Sequence, residues 1–234
     1  MKKTILALAV LAAGVSASAQ EASKSALAVT LDVTYVSDYV FRGLRLADAS
    51  VQPSVEASYG DFYAGLWHSD AISDGPANFS GSETDLYAGY NLSINETFSA
   101  DLGVTRYTYN GGSQGDTTEV YAGLKADVLL SPSVYYYYDF DLDVSSYIAS
   151  IGHSIAVTKL GVSLDFSATF GYIQIPGDNE DYCYWGAGVA VPYQLSETAT
   201  LTGAVNYTSL DRDNLLASPD QDQVVFSVGL AIGF

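Results

Sequence analysis

The sequence predicts an all-β fold, a transmembrane antiparallel up-and-down β-barrel of about twelve strands. Three observations predict it. Polar and apolar residues alternate with period two through segments of about ten residues. The connections between those segments are tight and long by turns, and the chain closes on an alternating apolar segment that ends at Phe234.

Alternation comes first. In Val29-Thr30-Leu31-Asp32-Val33-Thr34-Tyr35 every second residue is apolar, and the other face carries Thr30, Asp32 and Thr34. A soluble sandwich turns its apolar face inward, whereas a membrane barrel turns it to lipid. Composition favours the second, because 19 Tyr and 21 Gly with a single Met suit aromatic girdles and a curved wall. Strands are expected at roughly 27–42, 50–59, 61–70, 83–94, 97–109, 117–129, 133–142, 145–157, 160–174, 181–193, 198–209 and 222–234.

Connection lengths make the second argument. Gly60, Ile94 to Glu96, Leu130 to Pro132, Thr158 to Lys159 and Leu195 to Glu197 are tight, and most connections between them are longer and rich in Gly, Asp and Ser. Short turns on one rim and long loops on the other fit an outer-membrane barrel, while Greek-key crossovers give no such rhythm.

The two ends complete the domain plan. Lys2 and Lys3, the apolar run Ile5 to Val15 and the small residues Ala17-Ser18-Ala19 form a three-part export signal. Residues 1–19 are therefore expected as a cleaved signal peptide and 20–234 as the barrel. The apolar run is shorter than the ~20 residues a spanning helix needs. At the other end, Phe226, Val228, Leu230, Ile232 and Phe234 alternate to the last residue, a pattern similar to the C-terminal signal read by the barrel assembly machinery, with Phe234 as its key residue.

Charge narrows the partners. Losing Lys2 and Lys3 takes the formal charge from −18 to −20, which argues against nucleic acid, since phosphate binding needs basic patches. Cys183 is the sole cysteine, so an intramolecular disulfide framework is excluded. Outer-membrane lipid and small solutes are the expected partners.

Parity assigns a lumen-facing set: Asp32, Asp38, Arg42, Glu56, Glu83, Asp85, Asp101, Glu119, Lys125, Asp127, Asp139, Asp141 and Asp165. Two bases cannot neutralise the acids, so part of the interior is expected to be wet, and a passage lined by negative charge favours cations. The alternative is a closed barrel in which Tyr and Ser hydroxyls satisfy the carboxylates. Tyr63-Ala64-Gly65, Tyr87-Ala88-Gly89 and Tyr121-Ala122-Gly123 repeat, with Tyr and Gly on one face, so that a tyrosine can cover the gap a glycine leaves. Arg106 falls on the lipid face near the long-loop rim, or inward if a bulge turns it.

No catalytic set, cofactor or metal site is expected. His68 and His153 both point outward by parity and lack a nucleophile and an orienting acid. Two scattered His and one Cys do not make a zinc site, and Asp211-Arg212-Asp213-Asn214 departs from a calcium loop at Leu215.

Three segments carry a family likeness: Ser37-Asp38-Tyr39-Val40-Phe41-Arg42-Gly43, Phe62-Tyr63-Ala64-Gly65-Leu66-Trp67 and Glu83-Thr84-Asp85-Leu86-Tyr87-Ala88-Gly89-Tyr90. They resemble the TorF-like porins, bacterial outer-membrane proteins of unknown function, over the first half of the chain. The resemblance implies an outer-membrane location and a channel, and supplies no substrate or catalytic residue. The expectation is an outer-membrane channel for small cationic or neutral polar solutes, with a non-conducting structural or adhesive barrel as the rival.

Overall fold

The computed structural model describes residues 26–72, 82–110, 115–177, 181–211 and 221–234, and every regular element among them is a strand. In chain order these are β1 (Leu27–Val36), β2 (Tyr39–Phe41), β3 (Leu44–Ala47), β4 (Ser50–Tyr59), β5 (Phe62–Ala71), β6 (Ser82–Ser93) and β7 (Phe98–Asn110). They continue with β8 (Thr117–Ala126), β9 (Ser133–Asp139), β10 (Val144–Val157), β11 (Val162–Gln174), β12 (Tyr182–Gln194), β13 (Ala199–Leu210) and β14 (Asp222–Gly233). All but β2 and β3 form one closed antiparallel barrel of twelve strands, because β1 pairs with both β4 and β14 and leaves no edge. The predicted signal peptide, residues 1–19, lies outside the described residues.

The faces are inverted relative to a soluble protein. Leu31, Val33 and Tyr35 are 42%, 45% and 46% exposed, while Thr34 between them is 1% exposed. Leu102, Leu124, Phe170 and Phe226 continue the outward apolar band. Side chains from non-adjacent strands meet on the other face, as Tyr63 of β5 does with Asp101 of β7. A polar interior behind an apolar exterior suits hydrocarbon.

The start of β1 and the end of β14 share a rim with the tight turns, and Phe234 N–H donates to the Val29 carbonyl there at 2.9 Å. The opposite rim carries residues 37–49 and 140–143; residues 73–81, 111–114, 178–180 and 212–220 lie outside the described residues. The calcium-loop alternative at 211–215 falls mostly on those.

Three expected strands stop early, one of them ending at Ala126 and not at residue 129. The first ends at Val36 and not at residue 42: the Ser37 hydroxyl accepts the Phe226 N–H at 3.0 Å, and the chain then leaves the wall. Arg42 (φ 48°) and Gly43 (φ 84°) form a two-residue reverse turn that joins β2 to β3. Positive φ at both central positions is what such hairpins demand. The strand expected to reach 142 ends at Asp139, whose carboxylate accepts the N–H groups of Asp141 and Leu142, each at 2.9 Å, and so turns the chain.

The tyrosine and glycine repeat becomes a cross-strand lattice. Tyr63 lies opposite Gly89 and Tyr87 opposite Gly65, followed by Tyr121 opposite Gly103 and Tyr135 opposite Gly123. A Cβ at Gly89 would overlap the Tyr63 ring, so each glycine is the seat of the neighbouring strand's ring.

The β2–β3 hairpin folds back into the barrel. On one side Val36, Tyr39 and Ala47 pack with Val225 of β14, backed by Trp67 of β5. On the other, Leu44 packs against Ile173, Tyr182, Tyr184 and Leu210 of β11 to β13. Gly43 lies so close to Tyr184 and Leu210 that an added Cβ would sit 2.7 and 2.6 Å from their carbons. The hairpin is thus wedged between opposite walls of the lumen.

Candidate functional site

Arg42, at the hairpin tip, enters the outer part of the lumen where β7 to β10 begin or end. Its Nη1 and Nη2 each donate to Glu119 at 2.7 Å, and Nη1 also reaches the Ser146 hydroxyl at 2.9 Å. Tyr107 donates to the same Glu119 carboxylate at 3.0 Å. The guanidinium lies 4.5 Å from the Tyr137 ring centroid and 4.7 Å from that of Phe41. Bidentate geometry and two ring faces make this a strong charge-assisted contact. Burial works against the Arg42 charge, but the facing Glu119 carboxylate more than offsets it and holds the guanidinium protonated.

The hairpin has further polar anchors. The Tyr39 hydroxyl donates to Glu83 at 2.9 Å, and the Tyr182 hydroxyl donates to the Arg42 carbonyl at 3.2 Å. Burial and the carboxylates of Glu83 and Asp85 push the Tyr39 phenol well above its ordinary range, so it stays a donor. Within the loop, Arg45 pairs with Asp38 at 3.0 Å and with Asp48.

Deeper, a second cluster centres on Asp101. It accepts the Tyr63 hydroxyl at 2.8 Å, the Tyr135 hydroxyl at 2.7 Å and the Lys125 ammonium at 3.2 Å. Tyr121 meets Tyr63 at 2.5 Å, and Tyr87 donates to Glu56 at 3.0 Å.

The sequence-assigned lumen set therefore divides. Asp32, Glu56, Glu83, Asp85, Asp101, Glu119, Lys125, Asp139 and Asp165 stand at inward positions of the wall; Thr34 donates to Asp32 at 2.9 Å and Ser154 to Asp165 at 2.6 Å. Asp85 Oδ1 is enclosed without a hydrogen-bond partner. Asp38 and Arg42 belong to the folded-back hairpin and not to the wall. Asp127 follows the end of β8 in an exposed turn. Asp141 leaves the lumen altogether: it is 48% exposed, accepts the Thr118 N–H at 2.8 Å and faces Arg106 at 3.6 Å. Both residues lie beyond the ends of their strands, at Ala126 and Asp139, where alternation no longer sets the face. Arg106 keeps its outward parity without a bulge and is held by Thr118, Asp116 and Asp141 at the rim. His68 faces outward beside the Thr84 hydroxyl at 2.8 Å, and His153 is exposed.

The expected tyrosine donors are present, and the sequence left open which ones they are: Tyr63, Tyr87, Tyr107 and Tyr135 share the inward face with the acids they bond, and Tyr39 reaches Glu83 from the hairpin. Gln52 and Ser146, also buried and inward, carry no distinguishing sequence signal.

Among solved structures the fold matches outer-membrane porins. The KdgM porin in complex with disordered oligogalacturonate superposes with a TM-score of 0.59 at 15% identity, covering 88% of this chain and 99% of that one. The NanC porin gives 0.58 at 11% identity over 87% and 98%, and an outer-membrane channel from Pseudomonas putida F1 gives 0.58 at 12% over 94% and 100%. At such identities the likeness establishes the fold. No curated protein sequence matches. The sequence model of one family spans residues 19–230, and the chain belongs to that family, described as bacterial proteins of unknown function (Gcw_chp).

Proposed function

We propose that the chain is an outer-membrane channel for passive diffusion of small polar solutes, cationic or neutral, with the β2–β3 hairpin as a plug that must shift for passage. One observation carries the reading: the inner wall presents Asp32, Glu56, Glu83, Asp85, Asp101, Glu119, Asp139 and Asp165 against Lys125, while Arg42 and Arg45 sit on the hairpin. A wall of one sign inside a low-dielectric shell enriches counter-ions. In this reading residues 1–19 direct export, Phe234 is recognised by the assembly machinery, and the apolar band sits in outer-membrane lipid. The oligogalacturonate belongs to KdgM; here the carboxylate wall favours the opposite charge, so only the barrel is common ground.

The second reading is a closed structural or adhesive barrel whose outer loops meet partners. The Arg42 to Glu119 pair and the tyrosine-satisfied carboxylates favour it, since such networks also stabilise a filled interior. Planar-bilayer recording separates the two. The channel reading expects openings that are cation-selective in a salt gradient, more frequent in Arg42→Ala. Anion selectivity would refute the acidic passage, and silence of both well-folded proteins would leave the closed barrel.

A further inference from the structure

The contact that seats the plug has the chemistry of a ligand site. Four side chains of the wall build it: Glu119 on β8, Ser146 on β10, Tyr137 on β9 and Tyr107 on β7. Glu119 is 2% and Ser146 0% exposed, and Tyr137 and Tyr107 are buried. The register places Glu119 opposite Asp139, Tyr137 opposite Ser146 and Tyr107 opposite Thr117, near the outer ends of all four strands.

What fills the cleft is supplied by the chain itself. Both Glu119 oxygens are taken by the two terminal nitrogens of Arg42, Ser146 takes a further N–H, and the Tyr137 ring lies under the guanidinium plane. A two-toothed acceptor beside a ring face fits a flat, forked cation better than a compact ammonium. Phe41 travels with the hairpin, whereas the carboxylate, hydroxyl and Tyr137 face stay behind on the wall. If Arg42 withdrew alone, Glu119 would be left as a buried charge without its cation, which is unfavourable. A cation of the same shape removes that penalty, so occupancy by such a solute and departure of the hairpin are thermodynamically linked.

We propose that the Glu119, Ser146, Tyr137 and Tyr107 cleft is a guanidinium subsite of the lumen, that Arg42 occupies it as a tethered pseudo-ligand, and that small guanidinium-bearing solutes displace it. This names a solute class for the channel proposed above and rests on that reading for its transport role, but the subsite can be tested without any current. A tethered competitor acts at an effective concentration in the millimolar range, so the free ion must be supplied at that level or above.

The test uses the full-length protein in detergent micelles and guanidinium chloride as the probe, with sodium chloride at equal ionic strength as the control. In the unmodified protein, guanidinium should raise amide hydrogen exchange across residues 39–47 several-fold and leave the barrel strands unchanged. In Arg42→Ala, thermal stability should fall and then recover with millimolar guanidinium, and the recovery should vanish in Arg42→Ala/Glu119→Gln. Should the Arg42→Ala protein fail to fold, the exchange measurement on unmodified protein and on Glu119→Gln, which should lose the response, decides alone. Equal effects of guanidinium and sodium in either measurement overturn the subsite. A specific response in protein that never conducts supports the subsite and removes the channel reading instead.

Discussion

Gly43→Ala tests the seat of the plug without altering a charge. At φ 84° an alanine is strained by roughly 1–2 kcal/mol. Its methyl would also lie 2.6 Å from Leu210 Cδ2 and 2.7 Å from Tyr184 Cβ, and such overpacking costs about 1–3 kcal/mol. Both penalties apply to the docked hairpin, because a released loop can relax its turn and has no wall beside it. Together they amount to roughly 2–5 kcal/mol, a shift of about thirty-fold to a few thousand-fold in the docking equilibrium. Amide exchange measured by mass spectrometry should accelerate across residues 39–47 within that range, while β6 to β8 keep their protection. Gly161→Ala is the control: its φ of 67° carries similar strain, but nothing lies within 4 Å of the added Cβ and it sits in a turn at the other rim. Unchanged hairpin exchange in folded Gly43→Ala, or equal acceleration in Gly161→Ala, would refute the wedge.

Other expectations follow from the same geometry. Gly89→Ala should cost about 1–3 kcal/mol by expelling the Tyr63 ring, and much less in a Tyr63→Ala background, as chemical denaturation of the double-mutant cycle would report. Neutralising Asp32 and Glu56 together to Asn and Gln in the Gly43→Ala protein should reduce cation preference, measured as reversal potential, and the change should shrink in 1 M salt, where the Debye length is about 3 Å. An epitope tag at Gly115 should be reachable from outside intact cells and one at Glu96 should not, since the two lie on opposite rims. Phe234→Asp should leave protease-sensitive chain in the periplasm, seen as loss of the heat-modifiable band.

Much of the fold was legible because parity is a local property. The alternation at Val29 to Tyr35, the tight turns and the Tyr/Gly pairs all depend on neighbours in sequence or on the adjacent strand, and each appears where the pattern put it. The hairpin was not legible as a plug. Tyr39, Val40 and Phe41 continue an extended pattern, and nothing within ten residues tells a strand rising above the rim from one folding inward. The partners that decide it are Glu119 and Ser146, 77 and 104 residues away. The Arg42-Gly43 pair held the one local hint, a dipeptide suited to a tight reverse turn. Asp127 and Asp141 were misplaced for the opposite reason, since their parity is regular but each lies just past the end of its strand, where the chain turns.

The charge balance had a similar blind spot. Counting bases against acids implied a wet lumen, yet five tyrosine hydroxyls donate to Glu56, Glu83, Asp101 and Glu119, and these neutral donors satisfy oxygens without cancelling charge. Hydrogen bonding by itself therefore leaves the charge of an ionised carboxylate in place. That distinction bears on how the plug is held. Apolar packing at Val36, Tyr39, Ala47 and Val225 gives the hairpin a place, and its release into water carries a penalty that does not depend on which cation is present. The Arg42 to Glu119 pair differs, because the carboxylate fork that holds Arg42 can equally hold a free guanidinium that reaches Glu119. A plug fixed at its tip by exchangeable charge and at its base by packing can be unlatched at one end while staying attached at the other. Conversion of the tip to an apolar contact, as in Arg42→Leu/Glu119→Leu, should then keep or raise stability while removing any response of hairpin exchange to added cations. A retained cation response in that double variant would place the latch elsewhere, with Tyr39 and Glu83 as the next contact to break.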